Sequence, residues 1–122
     1  MKVVAVAAMT TLLFACAPRR RECRFLEPAV AAADDAMRLP KETTSLSGIT
    51  AQEYAAARSA SAGRWLASFQ LDEPDLEPLR DRLERAMQGR ADAIEHGDES
   101  ELARATERAT EASKSLRAAC AR

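Results

Sequence analysis

Helix punctuation constrains this chain more than any other feature: beyond residue 23, start and stop signals cut it into four segments, each with apolar residues at helical spacing. The first segment carries Leu26, Val30, Ala33 and Met37, tolerates Pro28 in its first turn and is stopped by Pro40. Residues 41–48 are rich in Thr, Ser and Gly and read as a loop. Thr50-Ala51-Gln52-Glu53 then forms a capping box, with Ile49 and Tyr54 placed as a hydrophobic staple, so a second helix is expected from Ala51 to about Gln70. The first half of that helix is nearly all Ala and Ser, whereas Trp65, Leu66 and Phe69 load its end with bulk. Leu71-Asp72-Glu73-Pro74 is a turn, after which Asp75 is placed to cap a third helix striped by Leu76, Leu79, Leu83, Met87 and Ile94. His96 and Gly97 close it, and Asp98-Glu99-Ser100-Glu101 offers a second capping box for a fourth helix carrying Leu102, Ala105, Ala109, Ala112, Leu116 and Cys120. No strand pattern competes. The fold class is therefore all-α, and short connections predict an antiparallel up-down-up-down four-helix bundle.

The start of the chain obeys different rules. Lys2 precedes a mostly apolar run from Val3 to Phe14, the charged-then-apolar order of a signal peptide, and about a dozen residues fall short of the ~20 that a membrane span needs. Leu13, Ala15 and Cys16 resemble the lipobox of bacterial lipoproteins, in which an aliphatic residue stands three places before the cysteine and a small one just before it. Phe14 departs from the small residue usual between them. The resemblance implies cleavage before Cys16, lipidation of its thiol and amine, and anchoring to the inner or outer membrane of a cell envelope, facing the periplasm or exterior. On that reading residues 1–15 are a signal peptide, 16–23 a lipidated cysteine with a short basic tether, and 24–122 the helical domain. Ordinary cleavage after Ala15 or Ala17 is the rival reading. Arg19-Arg20-Arg21 weighs against export in either form, since positive charge behind an apolar run tends to stay cytoplasmic.

With Cys16 taken by the lipobox, Cys23 and Cys120 remain as an even pair, for which a disulfide is the economical reading in an oxidising compartment and two free thiols the alternative. An even number of antiparallel helices brings the start of the first and the end of the last to the same end, so this terminal disulfide would close the bundle.

Composition narrows the function. The formal net charge is −1, from 18 basic and 19 acidic residues, which gives no field to attract nucleic acid. Arg19, Arg20 and Arg21, beside a lipid anchor, are placed to lie on anionic headgroups. His96 is the single histidine, too few for a di-iron carboxylate bundle, and Asp92 with His96 makes at most half a metal site. There is no Gly-rich phosphate loop, no Gly-x-Ser-x-Gly and no haem-attachment motif. The chain reads as non-enzymatic, without cofactor or small-molecule substrate, an enzyme ranking last among the possibilities.

What remains is recognition of another envelope protein, as an adaptor, an assembly factor or a subunit of a complex. In layout alone the chain resembles secretion-system pilotins, which are small helical lipoproteins. The expected contact surface is the end of the bundle away from the disulfide, with Tyr54, Ala57, Ile94 and His96 as candidates and Trp65 as core at the other end. There the Ala-rich half of helix two either closes tightly or leaves a groove for a partner helix. A second reading makes the bundle a carrier of a small ligand or haem, lined by Trp65, Phe69 and Met87.

Overall fold

The structure, a computed structural model, describes residues 2–38 and 50–122, with side chains from residue 18 onward. The Pro40 stop, the 41–48 loop and the Ile49 staple lie outside the described residues, as do the side chains of Leu13, Ala15 and Cys16. Four helices follow in order: α1 Lys2–Arg38, α2 Ala51–Ala67, α3 Leu76–His96 and α4 Glu99–Ala121. Helix α2 packs against α1 and α3, and α4 against α3 and α1, which is the neighbour order of an antiparallel four-helix bundle. Cys23 and Cys120 form a disulfide between the start of the bundle portion of α1 and the end of α4, with Cα atoms 5.7 Å apart.

The helix ends show how local chemistry sets the boundaries. Thr50 and Glu53 form the full reciprocal capping box, Glu53 N–H donating to Thr50 Oγ1 at 3.1 Å and Thr50 N–H to the Glu53 carboxylate at 3.2 Å. Only half of the second box forms. Asp98 Oδ1 accepts from Glu101 N–H at 3.0 Å, but Asp98 N–H donates instead to Ala93 O, closing α3 through Gly97 at φ 66°. That backbone angle is why glycine stands at position 97. The Glu101 carboxylate is then free to accept from Arg104 and Arg108, and these two guanidinium groups hold its pKa below the ordinary glutamate range. Asp75 makes no capping bond at α3, because its carboxylate accepts from Arg19 at 2.5 Å.

That contact corrects the expected tether. Residues 17–23 are helical, part of α1, and they are bonded to the rest of the bundle. Arg19 donates to Ala119 O at 3.0 Å, satisfying an orphan carbonyl in the last turn of α4, and lies 3.7 Å from Glu73. The Glu22 carboxylate accepts from the backbone N–H groups of Asp72 and Glu73 in the α2–α3 turn. Further along the seam between α1 and α4, Arg117 donates to Asp34 at 2.5 Å and to Glu27 at 3.2 Å, while Ser113 donates to Asp34 at 2.9 Å. The bond to Asp34 is the main reason that the Arg117 pKa is raised.

Few bulky side chains fill the interior. Leu26, Leu66, Leu76, Leu83, Met87 and Leu116 are fully buried, and most other core positions are alanines, among them Ala29, Ala33, Ala62, Ala86, Ala109 and Ala119. Small residues let helix axes approach closely and so restore packing density without large side chains. Helix α2 shows the consequence. Ser59 and Gly63 face inward, and a Cβ at position 63 would come within 2.7 Å of the Gln88 side chain of α3. With that side turned to the bundle, Leu66 falls inside and Trp65, expected in the core, is 44% exposed. Adjacent positions on a helix differ by about 100°, so only one of these two can face the interior. Helix α2 also stops at Ala67 rather than near Gln70, where Ser68 Oγ donates to Trp65 O and its N–H to Arg64 O.

Candidate functional site

At the end remote from the disulfide, α2, α3 and α4 diverge around a groove of about 240 Å³. Its walls are small and apolar: Ala51 and Ala55 from α2, Ala93 and Ile94 from α3, and Leu102 from α4. The i, i+4 spacing of Ala51 and Ala55 places two methyl groups, and no larger side chain, on one face of the first turns of α2. Gly97, Asp98 and Glu99 close one side through the sharp α3–α4 turn. Gln52 Nε2 donates to Ile94 O at 2.5 Å and ties α2 to the last turn of α3, sharing that carbonyl with the Gly97 N–H at 3.2 Å. The question left by the Ala-rich half of α2 has a divided answer. Ala56, Ser59, Ala62 and Gly63 are packed tightly, and the opening lies at Ala51 and Ala55, in the first turns of the helix.

Arg90 forms part of the groove wall and is only 7% exposed. Its Nε donates to Thr106 Oγ1 at 3.0 Å and its Nη1 to Ser59 Oγ at 2.7 Å and Ala36 O at 3.4 Å. One guanidinium on α3 thus bonds to α1, α2 and α4 at once. Among the described residues no carboxylate pairs with it. Burial therefore lowers its pKa, with no neighbouring anion to offset the loss of water. Arginine titrates so far above neutrality that the group stays charged, and the lining of the groove includes a fixed positive charge.

Of the four residues expected at a binding surface, the structure brings one into this groove. Ile94 lines it, 8% exposed, whereas Tyr54 is 39% exposed outside the lining. Ala57 and His96 are also exposed and do not line it. The His96 ring lies with Nδ1 2.7 Å from Asp92 O, and since a carbonyl can only accept, Nδ1 carries the proton and the ring caps its own helix. Arg90 was the residue to notice. Leu83, Met87, Arg90 and Ile94 fall at i, i+4, i+7 and i+11, so an arginine occupies the apolar stripe of α3.

A second groove, of about 400 Å³, runs between α3 and α4 with Arg82, Arg85 and Arg108 along it. Arg85 pairs with Asp81 and Arg108 with Glu101, as on a solvated surface. Neither groove has Trp65, Phe69 or Met87 in its wall. Among the described residues no group of three His, Cys, Asp or Glu side chains is placed to hold a metal ion, and no helix is long and apolar enough to cross a membrane. The chain matches no protein-family model, no curated protein and no solved structure.

Proposed function

We propose that this is a non-enzymatic lipoprotein of the cell envelope, anchored through Cys16, that binds a segment of a partner protein in the groove between α2, α3 and α4. The observation that carries the binding reading is the groove itself, an opening with mostly apolar walls at the end remote from the disulfide, with the buried Arg90 in its lining. Apolar walls with the Arg90 guanidinium in one and Asp98 and Glu99 in another suit a short, largely apolar segment of a partner chain. The anchor reading draws support from two places. Cleavage before Cys16 would leave Pro18 in the first turn of α1, the one part of a helix where its missing N–H costs little. The disulfide between Cys23 and Cys120 suits an oxidising compartment.

Lipid and groove then sit at opposite ends. Eighteen residues of α4 separate Leu102 from Cys120, about 27 Å at ~1.5 Å per residue, so the groove would open away from the membrane toward partners. Site-specific photocrosslinking in intact envelopes tests this reading. A photoreactive residue at Ala55 should trap a discrete partner that one at Ser115 does not, and the same products from both positions, or none from Ala55, would refute it.

A further inference from the structure

We propose that the bundle does not stand free on its anchor but lies with the α1–α2 edge of its disulfide end against an anionic lipid surface, an inference that rests on the lipoprotein reading above. Phe25 is 59% exposed and Trp65 44%, the two most exposed of the large apolar side chains among the described residues. Helical geometry puts both on one edge. Phe25 follows by two residues Cys23, which is bonded to α4, so it lies ~200° around α1 and faces away from α4. Trp65 follows by two residues Gly63, which meets Gln88 of α3, so it likewise faces away from α3. Helix α1 has α4 and α2 as neighbours and α2 has α1 and α3, which leaves both aromatics on the α1–α2 side. Both also belong to the disulfide end, where Glu22 holds the turn that follows α2.

The unpaired charge on this stretch of α1 has one sign. Arg20, Arg21 and Arg24 are exposed and form no ion pair among the described residues. The acidic groups of the same helix are occupied elsewhere: Glu22 by backbone N–H groups, Glu27 and Asp34 by Arg117, and Asp35 by Arg38. Arg21 and Phe25 are one turn apart on the same strip of α1. Aromatic rings beside unpaired arginines are the composition of a surface that rests at the headgroup level, the rings at the interface and the guanidinium groups on lipid phosphates. The anchor places it there. Cys16 precedes Arg20 by four residues, about 6 Å along a helix, and Arg19 fastens that stretch to Asp75 and Ala119, so the lipid is too close to the bundle for it to swing away.

Trp65 is the one tryptophan of the chain and therefore reports on this surface without a label. The processed protein is reconstituted into vesicles of phosphatidylglycerol and phosphatidylethanolamine with brominated or unbrominated acyl chains, and mass spectrometry of the same sample records whether Cys16 carries lipid. Trp65 emission should be about twofold weaker in the brominated vesicles. Arg21→Glu with Arg24→Glu should restore most of it, although the anchor keeps the variant on the vesicles. Equal emission in both vesicle types, with full access to aqueous iodide, would overturn the seating while a lipidated Cys16 leaves the lipoprotein reading intact. An unlipidated Cys16 would refute that reading, and the unlipidated protein mixed with the same vesicles still decides the surface: quenching supports it and unquenched emission overturns it.

Discussion

Replacing Arg90 by alanine should cost the bundle about 3–4 kcal/mol. The substitution removes the guanidinium that bonds to Ala36 O, Ser59 Oγ and Thr106 Oγ1, and Ser59, at 0% exposure, is left with no replacement donor from water. Hydrogen bonds to a charged group contribute roughly 1.5–3 kcal/mol each and an orphaned buried hydroxyl costs about 1–3 kcal/mol. Against these gains of the native residue stands the desolvation of a buried charge, several kcal/mol, so the terms largely cancel and the net loss is smaller than their sum. Truncation of the side chain's aliphatic stem adds a cavity term on top. Arg90→Met separates the two contributions: like alanine it removes the charge and its three bonds, but it keeps most of the stem's volume and leaves no cavity, so it should cost only about 1–2 kcal/mol. Urea unfolding followed by circular dichroism measures both variants, with a shared m-value as the check that the native state is unchanged. If Arg90→Ala lies within about 0.5 kcal/mol of the parent, the range of an ordinary surface substitution, the four-helix clamp does not exist.

Other expectations follow from the same packing. Leu66→Ala should cost about 2–5 kcal/mol as a core truncation and Trp65→Ala less than about 1 kcal/mol; the reverse order in thermal melts would put the inward face of α2 in the wrong place. Opening the 97-residue loop by Cys23→Ser with Cys120→Ser should destabilise the domain by at most about 4–5 kcal/mol in the chain-entropy picture, and thiol labelling of the unreduced, denatured protein should find neither cysteine reactive. Gly97→Ala should cost about 1 kcal/mol because of the positive φ alone, nothing lying within 4 Å of the added methyl; an unchanged denaturation midpoint would contradict it. The Glu101 carboxyl, held by Arg104 and Arg108, should titrate below an ordinary glutamate, so the stability it contributes is present above the glutamate range and lost as pH falls through its lowered value. Carbon-detected NMR titration reads this directly, and an ordinary titration would disprove the pairing.

The architecture was legible because its signals are local. Capping at Thr50 and Glu53, the left-handed glycine at 97 and the apolar stripe of α3 each depend on residues within a few positions, and each is where spacing placed it. What sequence spacing could not supply was rotation and long-range charge. Choosing between Trp65 and Leu66 for the interior depends on how closely Gly63 lets α3 approach, a fact about the neighbouring helix rather than about α2. The segment before Cys23 shows no apolar period and so read as a tether. It is held by Arg19 and Glu22 through partners more than fifty residues away, which no periodicity records. Arg90 was readable as an arginine within an apolar stripe, but its three bonds to three other helices were not. The groove was legible only as an alternative, since alanines permit both a tight contact and an opening.

Metabolic labelling with an alkyne fatty acid tests the anchor on which the functional reading depends most directly. The parent chain should take up the label at Cys16 and partition with membranes, while Cys16→Ser should remain unlabelled. Equal labelling of both, or labelling of neither, would contradict it.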